Sequence, residues 1–285
     1  MSTRMRTYYY AIFGAMGGLF GWRVTETTID LSHGNIYITN IWLGSIIGFF
    51  IGFLIGASAD LLKWSLPRIV KSGFSGGIIG LIAGAISLPL AELIFQLSGA
   101  GLLGRAFSWA VFGSIIGLSE GIIGGSRKIN GFIGGAVGGA IGGAALELIA
   151  RLVNDLVVGK IIGLMLLGAF IGIFIALVVI LLRQAWIEIG RGKTKGEAIV
   201  LDKFISSTAA PIQIGSDPKC RIYIIGDKNV EPEHAVLRGE TTHFILQNLS
   251  SSGTYVGDRI IDVHTLVNGD TIRVGNTELV YYEKR

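Results

Sequence analysis

One cysteine stands in the whole chain, Cys220, which excludes an intrachain disulfide and a cysteine-based metal site. Histidine is almost as scarce. His33 and His264 have no second ligand at a useful spacing and His243 begins a strand at the surface, so no metal is expected. Charge is sparse too: 15% of residues are Asp, Glu, Lys or Arg, and the mean hydropathy is +0.61, too apolar for an ordinary soluble protein. The net charge of +4 arises within residues 1–190, without a clustered basic face on the polar remainder, which argues against nucleic acid as a partner. No complete Gly-x-x-x-x-Gly-Lys-Ser/Thr pattern is present, so there is no P-loop. Neither a Ser/His/Asp nor a Cys/His arrangement is present. No enzyme activity and no cofactor are expected.

What is present falls into two unlike parts. Residues 1–190 hold 34 of the 43 glycines, and residues 191–285 hold 24 charged residues against 20 in the longer first part. A membrane crossing needs roughly 20 mostly apolar residues. Six stretches meet or approach that: 7–24, 38–59, 73–97, 107–125, 131–150 and 161–182. The first follows Arg4 and Arg6 as a signal peptide would, but lacks a small-residue cleavage site and reads as a retained helix. Lys63, Arg68 and Lys71, then Arg127 and Lys128, then Arg183, Arg191, Lys193 and Lys195 mark alternate connections as cytoplasmic. That pattern predicts an integral protein of the cell membrane with both termini in the cytoplasm. The expected division is a transmembrane bundle over 1–183, a juxtamembrane connector over 184–195 and a soluble domain over 196–285. Trp186 and Ile187 of the connector would lie at headgroup level.

The membrane part repeats itself. FGAMGG (13–18), LGSIIG (43–48), FGSIIG (112–117) and LGAFIG (167–172) share one pattern. GFSGGIIGLIAG (73–84) and GFIGGAVGGAIG (131–142) share another, so 43–97 and 112–152 read as two copies of a helical hairpin. Gly44, Gly48, Gly52 and Gly56 lie four apart, as do Gly76, Gly80 and Gly84, and Gly134, Gly138 and Gly142. Stripes without side chains let helix backbones approach closely, and they resemble glycine-zipper helices. Packing within hairpins is the first reading; an oligomer interface or a pore lining stays open. Three acids fall in or near these spans. Glu92 and Glu147 occupy equivalent repeat positions, with Arg151 placed for an i,i+4 pair with Glu147. Glu120, among small residues, is the intramembrane functional candidate.

From about Gly196 short alternating strands take over: 197–202, 211–215, 221–225, 234–239, 243–248, 254–257, 270–275 and 278–283. Their spacing predicts a β-sandwich. The order IGSDPKC (214–220), VEPEHAVL (230–237), LSSSGTYVGDRII (249–261) and LVNGDTIRVGNTELVYY (266–282) resembles a forkhead-associated (FHA) domain over about 95 residues. The fold class expected is thus a membrane all-α bundle of about six Gly-rich helices plus an all-β FHA-like sandwich.

The resemblance implies loops at one end of the sandwich that bind a phosphothreonine peptide on a partner. Gly215, His234, Gly253, Gly269 and Asp270 would be structural. Candidate partner contacts are Ser216, Lys219, Arg221, Glu231, Ser250, Ser251, Ser252 and Thr254. Three positions depart from the family pattern: Ser216 replaces an Arg, Glu231 a Ser and Ser252 an Asn. Glu231 would put a carboxylate where a phosphate needs a donor. Ser216, the three loop serines, Lys219 and Arg221 are the available replacements. The balance favours a contact that does not depend on phosphothreonine. The function expected is a membrane-anchored adaptor or scaffold, held in the lipid bilayer, that recruits a cytoplasmic or membrane protein, with homo-oligomerisation left open. The alternative is a channel or transporter subunit with an FHA-like regulatory domain.

Overall fold

A computed structural model describes residues 3–28, 35–61, 66–98, 102–123 and 126–284, which divide into a helical unit and a β unit. The side chain of Glu120 lies outside the described part.

The helical unit contains α1 (Thr3–Thr28), α2 (Ile36–Leu61), α3 (Leu66–Ser98), α4 (Leu102–Ile123), α5 (Lys128–Leu152) and α6 (Leu156–Leu182). Each covers one expected stretch, the fourth as far as residue 123, and most extend past its apolar limits because backbone hydrogen bonding does not stop where hydrophobicity does. Four are long and apolar enough to cross a membrane by length and composition: Ile36–Ser58, Leu66–Ile94, Lys128–Leu152 and Leu156–Leu182. α1 falls short because its tyrosines, glycines and Arg23 dilute it. Among the described residues of α4, Ala106–Ser119 form a shorter apolar run.

Small residues set how these helices meet. α2 packs on α3, α4 on α5 and α5 on α6. A Cβ on Gly48 would run into the Gly80 carbonyl, and one on Gly44 or Gly52 into Gly84 or Gly76. In the second pair Gly113 opposes Gly135 and Gly117 opposes Gly131. α5 carries glycine on two faces at once. Gly131, Gly135 and Gly139 meet α4, while Gly134, Gly138 and Gly142 meet Ile175, Ile171 and Leu167 of α6. Backbones this close gain dispersion contacts over their whole length. At the far end of α5, Glu147 Oε1 accepts hydrogen bonds from Arg151 Nε at 3.0 Å and Nη2 at 2.9 Å. On α3 the corresponding acid, Glu92, accepts one from Gln96 Nε2 at 2.9 Å.

The β unit is a sandwich of two sheets. The first orders β2 (Ala198–Val200), β1 (Ala185–Arg191), β11 (Thr277–Glu283), β10 (Thr271–Val274), β7 (Thr254–Val256) and β8 (Arg259–Ile261). The second orders β4 (Ile222–Tyr223), β3 (Ile212–Gly215), β5 (Ala235–Gly239), β6 (Phe244–Asn248) and β9 (Val263–Thr265). Between them lies one core, with Ile187, Ile189, Ile272 and Leu279 facing Ile214, Leu237, Phe244 and Leu246. The alternation that predicted the strands places these side chains inside.

The segment 184–195, expected as a connector, is corrected here. Residues 185–191 form β1, paired with β11 on one side and β2 on the other. Ile187 is fully buried in the sandwich core and is not at a headgroup level. The reason is its period: Ala185, Ile187 and Ile189 alternate with Trp186, Glu188 and Gly190, which suits a half-buried strand. Asp202 fixes where the strand starts, its Oδ1 accepting the backbone N–H of Gln184 at 2.8 Å and of Ala185 at 2.9 Å. Burial nevertheless raises the Asp202 carboxyl above its ordinary range, against the pull of those two bonds. Only Arg183 and Gln184 lie between α6 and β1.

Two tests follow from this packing. Gly135→Ala puts a methyl into the Gly113 backbone, whereas a Cβ on Gly159 meets nothing nearer than 3.7 Å. Gly135→Ala should lower the thermal midpoint of the detergent-purified chain, while Gly159→Ala should leave it or raise it by the helix preference for Ala, about 1 kcal/mol. Equal responses would refute the close-approach account. A C-terminal fragment beginning at residue 183 should give a cooperative denaturant transition, and one beginning at 196 should not. Losing even one buried Ile to Ala costs about 2–5 kcal/mol, and removal of β1 takes two together with its ladder.

Candidate functional site

The loops at one end of the sandwich are those after β3 (216–221), after β4 (224–234), after β6 (249–253) and after β10 (275–276). His234 holds the middle pair together. It is fully buried, its Nδ1 accepts the Glu231 N–H at 3.2 Å, and its Nε2 lies 3.2 Å from the Gly253 carbonyl. With Nδ1 accepting, Nε2 carries the proton and donates. The ring thus spans two loops, which is a bracing role.

Across this brace the Glu231 side chain reaches into the serine loop. Its Oε1 accepts from Ser250 Oγ at 2.7 Å, Ser251 Oγ at 2.8 Å and Ser252 Oγ at 3.2 Å. The backbone N–H groups of Ser251 and Ser252 add contacts of 3.0 and 3.4 Å to the same oxygen. Hydrogen bonds from Ser250 and then Ser251 dominate, and they hold the carboxyl down at about 2, so it is ionised at any physiological pH. Asn248 shapes the loop from below, its Oδ1 accepting from Ser250 N at 3.1 Å and from Thr254 Oγ1 at 2.8 Å.

The expected contact residues therefore separate. Glu231, Ser250, Ser251 and Ser252 come together, with Ser251 and Ser252 exposed and Ser250 buried. Ser216 is turned inward, where its hydroxyl donates to the Val230 carbonyl at 2.8 Å. Thr254 is fully buried and bonded to Asn248, so it shapes the loop and is not a contact. Lys219 is exposed, and Arg221 lies with its guanidinium 5.6 Å from the Phe204 ring. The residues expected to be structural lie as follows. Gly215 backs onto the Pro232 carbonyl, and Gly253 and Gly269 have φ of +80° and +93°. Asp270 accepts from Val267 N at 2.9 Å and His264 Nε2 at 3.0 Å. No group of three or more metal-ligating side chains occurs among the described residues.

Three features escaped the sequence reading. Asn248 was one. Asp227 was another: it ties the loop after β4 to the β10–β11 hairpin by accepting from Asn276 N and Thr277 Oγ1, both at 2.8 Å. Burial raises this carboxyl, but hydrogen bonds led by Thr277 outweigh it and leave it below the usual range. Asp227-x-Asn229 and Asn248-x-Ser250 have the spacing of local Asx turns, which was the available signal. The third is a cleft of about 610 Å³ beside the serine loop, lined by Lys228, Asn229, Glu231, Tyr255, Arg273 and Asn276. There the Arg273 guanidinium lies 4.1 Å above the Tyr255 ring.

The depressed Glu231 carboxyl gives a pH signature. Its folded value is below the ordinary 4.5, so its charge stabilises the loop above that value and the contribution is lost as pH falls towards about 2. Glu231→Gln removes the charge. The stability gap between native protein and variant should be constant above pH 5 and close as the pH approaches 2; a gap that ignores pH would refute the cradle.

Residues 212–275 match the family model of the FHA domain. Among characterised proteins, the glycogen accumulation regulator GarA of Mycobacterium tuberculosis is 32% identical over 98 residues, which cover 34% of this chain and 56% of GarA. An uncharacterised protein of Mycobacterium bovis, Mb1858, matches to the same extent. The chain spans about half the length of these relatives. Among solved structures, the FHA domain of CT664 from Chlamydia trachomatis aligns with 36% of this chain and 99% of its own, at 21% identity and a TM-score of 0.32. The FhaA FHA domain, complexed with the intracellular domain of Rv3910, aligns with 34% of this chain and 98% of its own, at 21% identity and a TM-score of 0.29. The serine loop, its His234 brace and the strands that carry them fall within the matched residues, and the C-terminal unit of this chain is an FHA domain.

Proposed function

We propose that this protein is a membrane-anchored adaptor whose FHA domain docks a protein partner through the loop end of its sandwich, without requiring phosphothreonine. The observation that carries this reading is the Glu231 carboxylate in the serine loop. A bound phosphate would need donors that Glu231 already uses, and it would bring nearly two negative charges against an ionised carboxylate. Ser216 offers no relief, since its hydroxyl is spent on Val230. FHA domains are protein-interaction modules, and that part of the role survives the change of site chemistry.

Anchoring is supported by the four long apolar helices and by the basic residues on alternate connections, which favour cytoplasmic termini. The transport alternative drew on Glu120, whose side chain lies outside the described residues, so it gains no support.

One experiment tests both parts. The tagged full chain, expressed in cells, should remain in the membrane pellet after carbonate washing. After detergent extraction it should recover the same partner with and without phosphatase treatment. Release by carbonate would remove the anchor, and loss of the partner after phosphatase would remove the phosphate-independent site.

A further inference from the structure

Five donors converge on one oxygen of Glu231, and the other is left over. Every hydrogen bond that the serine loop gives this side chain goes to Oε1. Oε2 has no hydrogen-bond or ion-pair partner among the described residues, and Glu231 lines the open cleft. The carboxylate is fixed on one side by hydroxyls and backbone N–H groups, and on the other it offers a bare acceptor. An ionised acceptor held rigidly at a recess favours a donor that carries positive charge. We infer that the recess of this FHA domain accepts a cationic side chain, Lys or Arg, of a partner protein, so that the anion stands on the FHA side of the contact. This rests on the phosphate-independent reading above and names the chemistry of the partner.

The surroundings limit what fits. Ser251 and Ser252 are exposed beside the carboxylate and hold it with their hydroxyl hydrogens, so their oxygens remain free to accept. On the remaining cleft wall Lys228 and Arg273 are exposed, with no ion pair among the described residues, and Arg273 is stacked on Tyr255. Two cations so near Glu231 would repel a polybasic tract. The segment that fits carries a single basic residue, with polar or acidic neighbours towards Lys228 and Arg273. Arg suits the contact better than Lys, because its planar fork can reach Oε2 and a serine oxygen together.

Peptide arrays can decide this with the full chain in detergent. The peptides share one backbone and differ only at the central residue: Arg, Lys, Gln, Thr, phosphothreonine or Asp. The Arg and Lys peptides should be retained about tenfold better than the Gln peptide, the scale of one charge-assisted hydrogen bond. Glu231→Gln keeps the Oε1 acceptor for the serines, so the loop should hold while the Arg and Lys advantage disappears. Replacing Lys228 and Arg273 by Ala should strengthen retention of the Arg peptide, which a merely misfolded loop would not do. An Arg advantage that persists in Glu231→Gln would place the site elsewhere and overturn the inference. Equal retention of all peptides, with partner recovery still insensitive to phosphatase, would overturn it and leave the adaptor reading standing. Preference for phosphothreonine would overturn both.

Discussion

The loop end of the sandwich depends on one buried imidazole. His234 accepts a hydrogen bond from the Glu231 N–H and donates one to the Gly253 carbonyl, and so sets the distance between two loops. Every contact of the Glu231 side chain presupposes that distance. A buried hydrogen bond of this kind is worth only about 1 kcal/mol net. Its larger effect is geometric, since unpairing it leaves the ring and two backbone groups desolvated with no partner. The site is thus specified from beneath, by a side chain that no ligand touches.

The same logic separates what the sequence made legible from what it did not. Eight strands were readable because core and surface residues alternate between turn signals, and the registers obey that alternation. The brace was readable because His234 and Gly253 stand in a recognisable order. β1 was missed because its neighbours set a misleading context. Trp186 and Arg183, directly after the 27 residues of apolar α6, look like membrane-flanking residues, and only the period of Ala185, Ile187 and Ile189 betrays a strand. β8 and β9 are three-residue edge strands without a buried side chain, so no core-and-surface alternation marks them. The meaning of Glu231 was half legible. Its charge could be seen to conflict with phosphate, but pairing with three successive serines depends on two loops separated by a whole hairpin.

In the helical unit, spacing spoke more clearly than composition. Glycines four apart announced which faces would approach: the α2–α3 contact runs along those stripes, and the announced face of α5, Gly134, Gly138 and Gly142, meets α6. The second glycine face of α5, one position over, lay in the same letters yet needed a structure to show that it meets a different helix. Apolarity alone was a blunter guide. It marked six stretches, the first the weakest and the fourth interrupted by Glu120, and four helices are long and apolar enough to cross a membrane by length and composition among the described residues.

The placement of β1 has a mechanical consequence. The strand is flanked on both sides, by β11 over its whole length and by β2 over part of it. Tension applied to the chain ahead of β1 enters the sandwich at Ala185 and is directed along the strand. It meets the hydrogen bonds of two ladders loaded side by side in shear, instead of one pair at a time as at a peeling edge. Asp202 clamps the point of entry through the first two backbone N–H groups. A pull on the backbone at residue 184 must therefore break both ladders together before the core can open.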